Sequence, residues 1–193
     1  GEGVAIVTSN NFEDEHDDWR YAFYELKKKE QEEKLQKDID LSSADVSNLE
    51  IKLSDEAPRA DISYELDIRK LVKKTAKRIF LVPNLLNRKS YIPSEKERNI
   101  PIQAVKGYTH IDTIIYTIPE GYIAENIPHD NFEIDTEFGK YNMKVGIIGH
   151  QLMYIRQFEL FTFSKPKEEY EALRDFYSQV VKIDNMKIVL VKE

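Results

Sequence analysis

Chemistry in a polypeptide needs a nucleophile, a base or a cluster of metal ligands, and this sequence is sparing with all three. It contains no cysteine, which removes a thiolate nucleophile, thiolate metal ligation and disulfides within this chain. No serine sits in the G-x-S-x-G turn that presents a hydrolase nucleophile. Ser54 and Ser164 stand beside loop and cap signals, which account for them. There is no G-x-G-x-x-G and no phosphate-binding loop. His110, His129 and His150 are isolated, without H-x-H or H-E-x-x-H spacing, so each reads as a surface or hydrogen-bonded residue.

Two groupings come nearer to function. Glu13-Asp14-Glu15-His16-Asp17-Asp18 gathers carboxylates and an imidazole, which are suitable metal ligands. The run lacks the regular spacing and turn glycine of a calcium loop. It reads instead as an exposed loop whose negative charge faces the positive end of a following helix. Nothing in the spacing of the 35 acidic residues favours the paired carboxylates of a glycosidase. The second grouping is aromatic. Tyr91, Tyr108 and Tyr122 are the candidates for a ligand surface, with Tyr21 and Tyr24 beside them, because exposed aromatics mark binding surfaces. The competing reading is that tyrosines alternating on strands are core or cross-strand pairs. The expectation is therefore no catalytic residue, no metal and no cofactor.

The elements that must position these residues are mostly strands. The chain has 193 residues, 41% hydrophobic and 33% charged, enough apolar material for a core and against global disorder. Aromatic residues make up 11%, which shifts the expectation toward pleated, half-buried strands. The net charge of −7, with lysines that look dispersed, argues against nucleic acid as the main partner and leaves room for a local basic face. No apolar run approaches the roughly 20 residues that cross a bilayer as a helix. A chain that opens Gly1-Glu2-Gly3 without an initiator Met reads as a piece of a longer protein.

Gly3 to Ser9 reads as a buried strand, with Val4 to Val7 contiguous, followed by a loop from Asn10 to Asp18 with Asp17 or Asp18 as an N-cap. One helix is predicted over about 18–39, with Trp19, Ala22, Phe23 and Leu26 on its packed face. Leu41 to Ser47 reads as a loop. Strands follow at Leu49 to Leu53, Ile62 to Ile68, Arg78 to Val82, Ile100 to Tyr108, Ile111 to Ile118, Tyr122 to Ile127 and Phe132 to Phe138. Tyr141, Met143, Val145 and Ile147 alternate strictly, then Gly149-His150 turns the chain into a partner strand over Gln151 to Phe163. A second helix is predicted over 166–182, and Lys187 to Val191 closes the chain as an apolar run. The fold class is α+β, a mainly antiparallel, sandwich-like sheet domain with two helices. Residues 1–193 read as a single domain, with Asp55 to Pro58 as a weak boundary that would subdivide it into 1–57 and 58–193.

Several segments, in order, carry a resemblance. They are Arg98-Asn99-Ile100-Pro101-Ile102, Ile118-Pro119-Glu120-Gly121-Tyr122 with Asn126-Ile127-Pro128, Phe138-Gly139-Lys140-Tyr141, Tyr154-Ile155-Arg156, Glu169 to Phe176 and Lys187 to Lys192. Together they resemble the C-terminal domain of unknown function that follows the transglutaminase-like domain in multidomain proteins of Bacteroides-type bacteria. Gly1 to Ala5 and the Trp19 helix resemble the joining segment. The resemblance implies an exported, periplasmic or cell-envelope protein. It implies a catalytic transglutaminase-like core of the same parent chain as partner, holding the Cys, His and Asp that no position here can supply. Gly121 and Gly139 read independently as turn glycines with positive φ, with Tyr122 and Tyr141 packed below them. The leading expectation is a non-catalytic accessory domain with an apolar patch near Val4 to Val7. The alternative is an independent peptide- or glycan-binding module, and a carboxylate hydrolase ranks last.

Overall fold

Strict alternation of apolar and polar residues forces a strand to bury one face and wet the other, and this rule organises most of the chain. A computed structural model describes residues 2–12, 14–39, 43–85, 87–90, 92, 98–128 and 131–193. The strands are β1 (Gly3–Phe12), β2 (Ala44–Leu53), β3 (Arg59–Ile68), β4 (Val72–Lys74), β5 (Arg78–Leu81), β6 (Ile102–Ala104), β7 (Tyr108–Thr117), β8 (Tyr122–Asn126), β9 (Phe132–Asp135), β10 (Gly139–Ile148), β11 (Gln151–Leu160), β12 (Phe163–Lys165) and β13 (Ile188–Lys192). The helices are α1 (Asp14–Glu25), α2 (Lys28–Asp38) and α3 (Tyr170–Asp184), the last entered through a short 3-10 turn at Lys167–Glu169. The architecture is a β-rich α+β fold built on antiparallel sheets.

A seven-stranded sheet in the order β2-β3-β1-β7-β11-β10-β9 forms the frame. A four-stranded sheet, β4-β5-β13-β8, and a two-stranded ribbon, β12-β6, complete the strand pairing. The inner face of the large sheet presents Ala5, Val7, Tyr64, Leu66, Ile114, Leu152 and Phe158, all buried. Helix α3 adds Tyr170, Leu173, Phe176 and Val180 to that core, and the Phe176 ring stacks on Phe158 at 6.0 Å between centroids. Burial of one such ring contributes about 1.5–3 kcal/mol. Strands from both sides of residue 57 share the large sheet, since β1 pairs with β3 and with β7.

The structure departs from the sequence expectations at identifiable places. The predicted helix over 18–39 is two helices, and the first begins at Asp14, so Asp17 and Asp18 lie inside it rather than at an N-cap. The Gln31 side-chain amide donates to the carbonyls of Ala22 and Leu26 at 2.9 and 3.0 Å. The Lys27 amide donates to the Glu30 carboxylate at 2.8 Å. Side chains thus satisfy backbone groups at the break and let the chain turn there. Phe23 lies outside the packed face, 43% exposed. The strand at Gly3 extends to Phe12 and alternates rather than burying Val4 to Val7 together. Strand β2 starts at Ala44, inside the stretch expected as a loop, and bulges between Ser47 and Glu50 with Asn48 at φ 54°. The expected Ile100–Tyr108 strand is interrupted: Ile102–Ala104 pairs with β12, and Tyr108 belongs to β7. Gly121 has the expected positive φ, at 74°. Gly139 does not, and its role is close approach, since a Cβ there would lie 2.1 Å from the Glu159 carbonyl oxygen.

Candidate functional site

Inward positions of β7 and β11 carry charge where alternation calls for apolar side chains. Asp112 on β7 and Arg156 on β11 are direct register partners, and both are fully buried. Asp184, the last residue of α3, completes the group. Arg156 donates from Nε and Nη2 to the two oxygens of Asp184 at 2.9 and 3.3 Å. Its Nη1 lies 3.5 Å from Oδ2 of Asp112. The Tyr141 hydroxyl donates to Oδ1 of Asp184 at 2.8 Å, and the Lys89 amide donates to Oδ2 at 2.9 Å. The Ser9 hydroxyl donates to Oδ1 of Asp112 at 2.8 Å. The Asn87 amide donates to both Asp112 oxygens at 3.2 and 3.3 Å. Asn87 reaches them from a left-handed backbone at φ 52°, a conformation asparagine tolerates better than most residues.

Burial alone pushes the Arg156 guanidinium toward lower pKa, but Asp184 and then Asp112 outweigh it and the net shift is upward. Burial raises the Tyr141 phenol, helped by Tyr154 and Asp184. A guanidinium does not give up its proton in proteins. Both carboxylates are already engaged by several donors. The network is therefore arranged to hold β7, β11 and α3 together.

One wall of this network opens on a cleft of about 450 Å³, within the range of small-ligand sites. Ser9, Asn11 and Tyr64 form its floor, the α1–α2 pair supplies Trp19 and Leu35, and Asn87 closes the far side. Lys34 lies over the Trp19 ring at 4.9 Å and pairs with Asp38 at 2.8 Å. The cleft thus offers neutral donors and acceptors beside an apolar wall, with Asp18, Lys34, Asp38 and Arg88 adding charge of both signs. Burial and the nearby Asp112 hold the Tyr64 phenol well above its usual range.

The residues singled out from sequence fall elsewhere. Tyr108 is half-buried on the inner side of the large sheet, 4.9 Å from the His110 ring and 5.7 Å from Phe158. Its hydroxyl accepts from Lys89 Nζ at 2.9 Å. Tyr122 belongs to the four-stranded sheet and lies under Lys74 Nζ at 5.5 Å. Tyr91 lies outside the described residues, as do Glu13 and His129. Tyr21 and Tyr24 are exposed on α1, and Tyr24 meets Phe23 edge-on at 5.1 Å. His16 is buried in α1, with Nδ1 3.2 Å from Asp17. Among the described residues, no three His, Cys, Asp or Glu side chains are placed to hold a metal. Among them too, no helix is long and apolar enough to cross a membrane. Sequence reasoning missed Asp112, Arg156, Asp184, Ser9 and Asn87. The signal for the first two was present: a charged residue in phase with buried neighbours on two alternating strands.

Residues 77–190 match the model of a Domain of Unknown Function with solved structure, DUF3858. No curated protein and no solved structure matches the chain.

Proposed function

Since the chain belongs to the DUF3858 family of domains of unknown function, we propose that it serves as a non-catalytic accessory domain of a larger exported protein. Its partner is a transglutaminase-like catalytic core of the same parent polypeptide, of the kind found in Bacteroides-type bacteria, in the periplasm or cell envelope. The reading of that parent rests on the resemblance of the segments from Arg98 to Lys192.

The observation that carries the proposal is the outer face of the large sheet. Val4 and Ile6 on β1 are 56% and 47% exposed, and Ile148 at the end of β10 is 67% exposed. Register places Ile6 beside Ile115, Ile115 beside Met153, and Met153 beside Gly146. An apolar row therefore crosses four adjacent strands, bordered on β3 by Glu65 and Asp67. An apolar band with a charged border is the composition of a domain interface. The buried charges offer no group free to act on a substrate, which favours support over chemistry.

Binding of the separately produced catalytic core to this chain tests the proposal by calorimetry. Ile6→Asp with Ile148→Asp is expected to abolish association while leaving the unfolding midpoint nearly unchanged, because both side chains are exposed. Undiminished association of the double variant, or no association of the parent chain, overturns it. A second reading, a peptide- or glycan-binding module, is favoured by the cleft between Trp19, Asn11 and Asn87. Titration with cell-wall oligosaccharides and short peptides tests that reading, and no shift of Trp19 fluorescence across the panel ends it.

A further inference from the structure

The ten residues from Arg69 to Arg78 include six basic side chains and no acidic one, in a chain whose net charge is −7. The fold turns this segment back on itself. Arg69 and Lys70 follow β3, Lys73 and Lys74 lie on β4, Lys77 precedes β5 and Arg78 begins it. Strand β13 then runs beside β5, and the Lys192 amide bonds to the Lys77 carbonyl at 2.9 Å. Lys70, Lys73, Lys74, Lys77 and Lys192 are all exposed. Two of the basic groups meet carboxylates: Arg69 lies 3.5 Å from Asp45, and Arg78 grips Glu125 with bonds of 2.6 and 2.8 Å. Glu120 and Glu193 lie at the Gly121 turn on the other side of β13, where the Glu193 amide bonds to the Gly121 carbonyl, and Glu2 precedes Gly3, which pairs with Ile68 beside Arg69.

The outer side of the four-stranded sheet carries apolar residues next to Lys73, while Lys74, paired with buried Ile79, and Lys192, two residues past buried Leu190, rim the sheet from its other face. Register sets Lys73 against Phe80, Phe80 against Val189, and Val191 against Ile123. Ile123 is 49% exposed, and Phe80, Val189 and Val191 are half-buried. Lysines on an edge strand do guard against pairing with another sheet. That accounts for Lys73 and Lys74 on β4, but not for Lys70, Lys77 and Lys192, nor for the lack of acids along the segment.

We propose that the β4–β5 hairpin and the adjoining end of β13 form a docking surface for an anionic bilayer. The charge is the complement of acidic headgroups, and the chain's overall negative charge would orient the molecule hairpin-first. Lys73 on the face of Phe80, Val191 and Ile123, with further lysines rimming that face, favours a bilayer over nucleic acid, because an interface takes apolar side chains together with cations. An acidic peptide would be held by a groove, and the cleft of about 450 Å³ lies by other residues. This surface lies on a different sheet from the face assigned to the catalytic core, so the two readings stand or fall separately.

Co-sedimentation of the chain with vesicles tests the inference. Vesicles of equal parts phosphatidylglycerol and phosphatidylcholine should bind it, pure phosphatidylcholine should not, and added salt should weaken binding. Each lysine near an anionic surface contributes about fivefold, so Lys73→Gln with Lys77→Gln should lower partitioning on the order of 30-fold. Both side chains are exposed, and an unchanged urea midpoint will show that the variant is folded. Equal binding to both vesicle types, no binding to either, or an unchanged variant overturns the proposal. Tighter, salt-sensitive binding of a polyglutamate peptide or single-stranded DNA than of the anionic vesicles also overturns it, in favour of that other partner.

Discussion

Replacing Arg156 by Met is the most direct trial of the structural reading. The guanidinium is fully buried and is the shared cation of Asp112 and Asp184. Methionine supplies apolar volume but no charge, so two buried carboxylates lose their counter-ion while Ser9, Asn87, Tyr141 and the Lys89 amide remain as neutral donors. Breaking a buried ion pair by removing one partner costs about 3–5 kcal/mol, because the charge left behind has no compensation. With a urea dependence of about 2 kcal/mol per molar for a domain of this size, the midpoint should fall by roughly 1.5–2.5 M. Arg156→Lys should recover only part of the loss, since an ammonium cannot make the paired contacts to Asp184. Arg78→Met removes an exposed ion pair of comparable geometry and should leave the midpoint close to that of the parent. Equilibrium urea unfolding followed by circular dichroism measures all three. A fall of less than about 0.3 M for Arg156→Met would refute the claim that this network holds the sheet and α3 together.

Two further outcomes follow from particular contacts. Gly139→Ala would set a Cβ against the Glu159 carbonyl and should cost at least the upper end of about 1–3 kcal/mol. Gly146→Ala meets nothing within 4 Å and should be neutral or stabilising by about 0.5–1 kcal/mol; thermal melts of the two variants compare them. Burial raises the phenols of Tyr64, Tyr116, Tyr141 and Tyr154, and pushes Tyr177 up to about 12. Unfolded tyrosines ionise near 10, so above that pH the unfolded chain binds fewer protons than the folded one and stability falls. Their stabilising contribution is full below about pH 10 and is lost as pH rises toward the folded values. Phenolate absorbance should show Tyr64, Tyr116, Tyr141 and Tyr154 ionising only with unfolding, and reversible ionisation of all eleven tyrosines near pH 10 with the fold intact would contradict this.

Local patterns reached the elements whose side chains answer to their own strand. Ile62, Tyr64, Leu66 and Ile68 alternate in the sequence and are the buried residues of β3. Gly149-His150 turns β10 into β11, with Gly149 at φ 59°. What stayed hidden depends on partners distant in sequence. The break between α1 and α2 follows from Gln31 reaching back to Ala22 and Leu26, within a run of strong helix formers that by itself predicts continuity. Asp184 reads as one more polar residue near a helix end until α3 sets it on Arg156. The cleft exists only because α1 folds over β1 and β3 and α2 over β2, which no periodicity encodes. The basic hairpin was overlooked for a different reason: net charge averages over the chain and hides the six of its 28 cations that crowd into ten residues.

The central place of β1 in the large sheet has a consequence for how this protein is cut and made. The matched family segment begins at Lys77, downstream of β1, β2, β3 and β4. A polypeptide trimmed to that segment would divide the sheet lengthwise and leave β7 as an open edge, a template for pairing with other copies. Nascent chains meet the mirror problem. β1 can pair with β3 early, but its other edge waits until residues 110–116 have been synthesised, so ribosome-bound intermediates carry a bare strand until then.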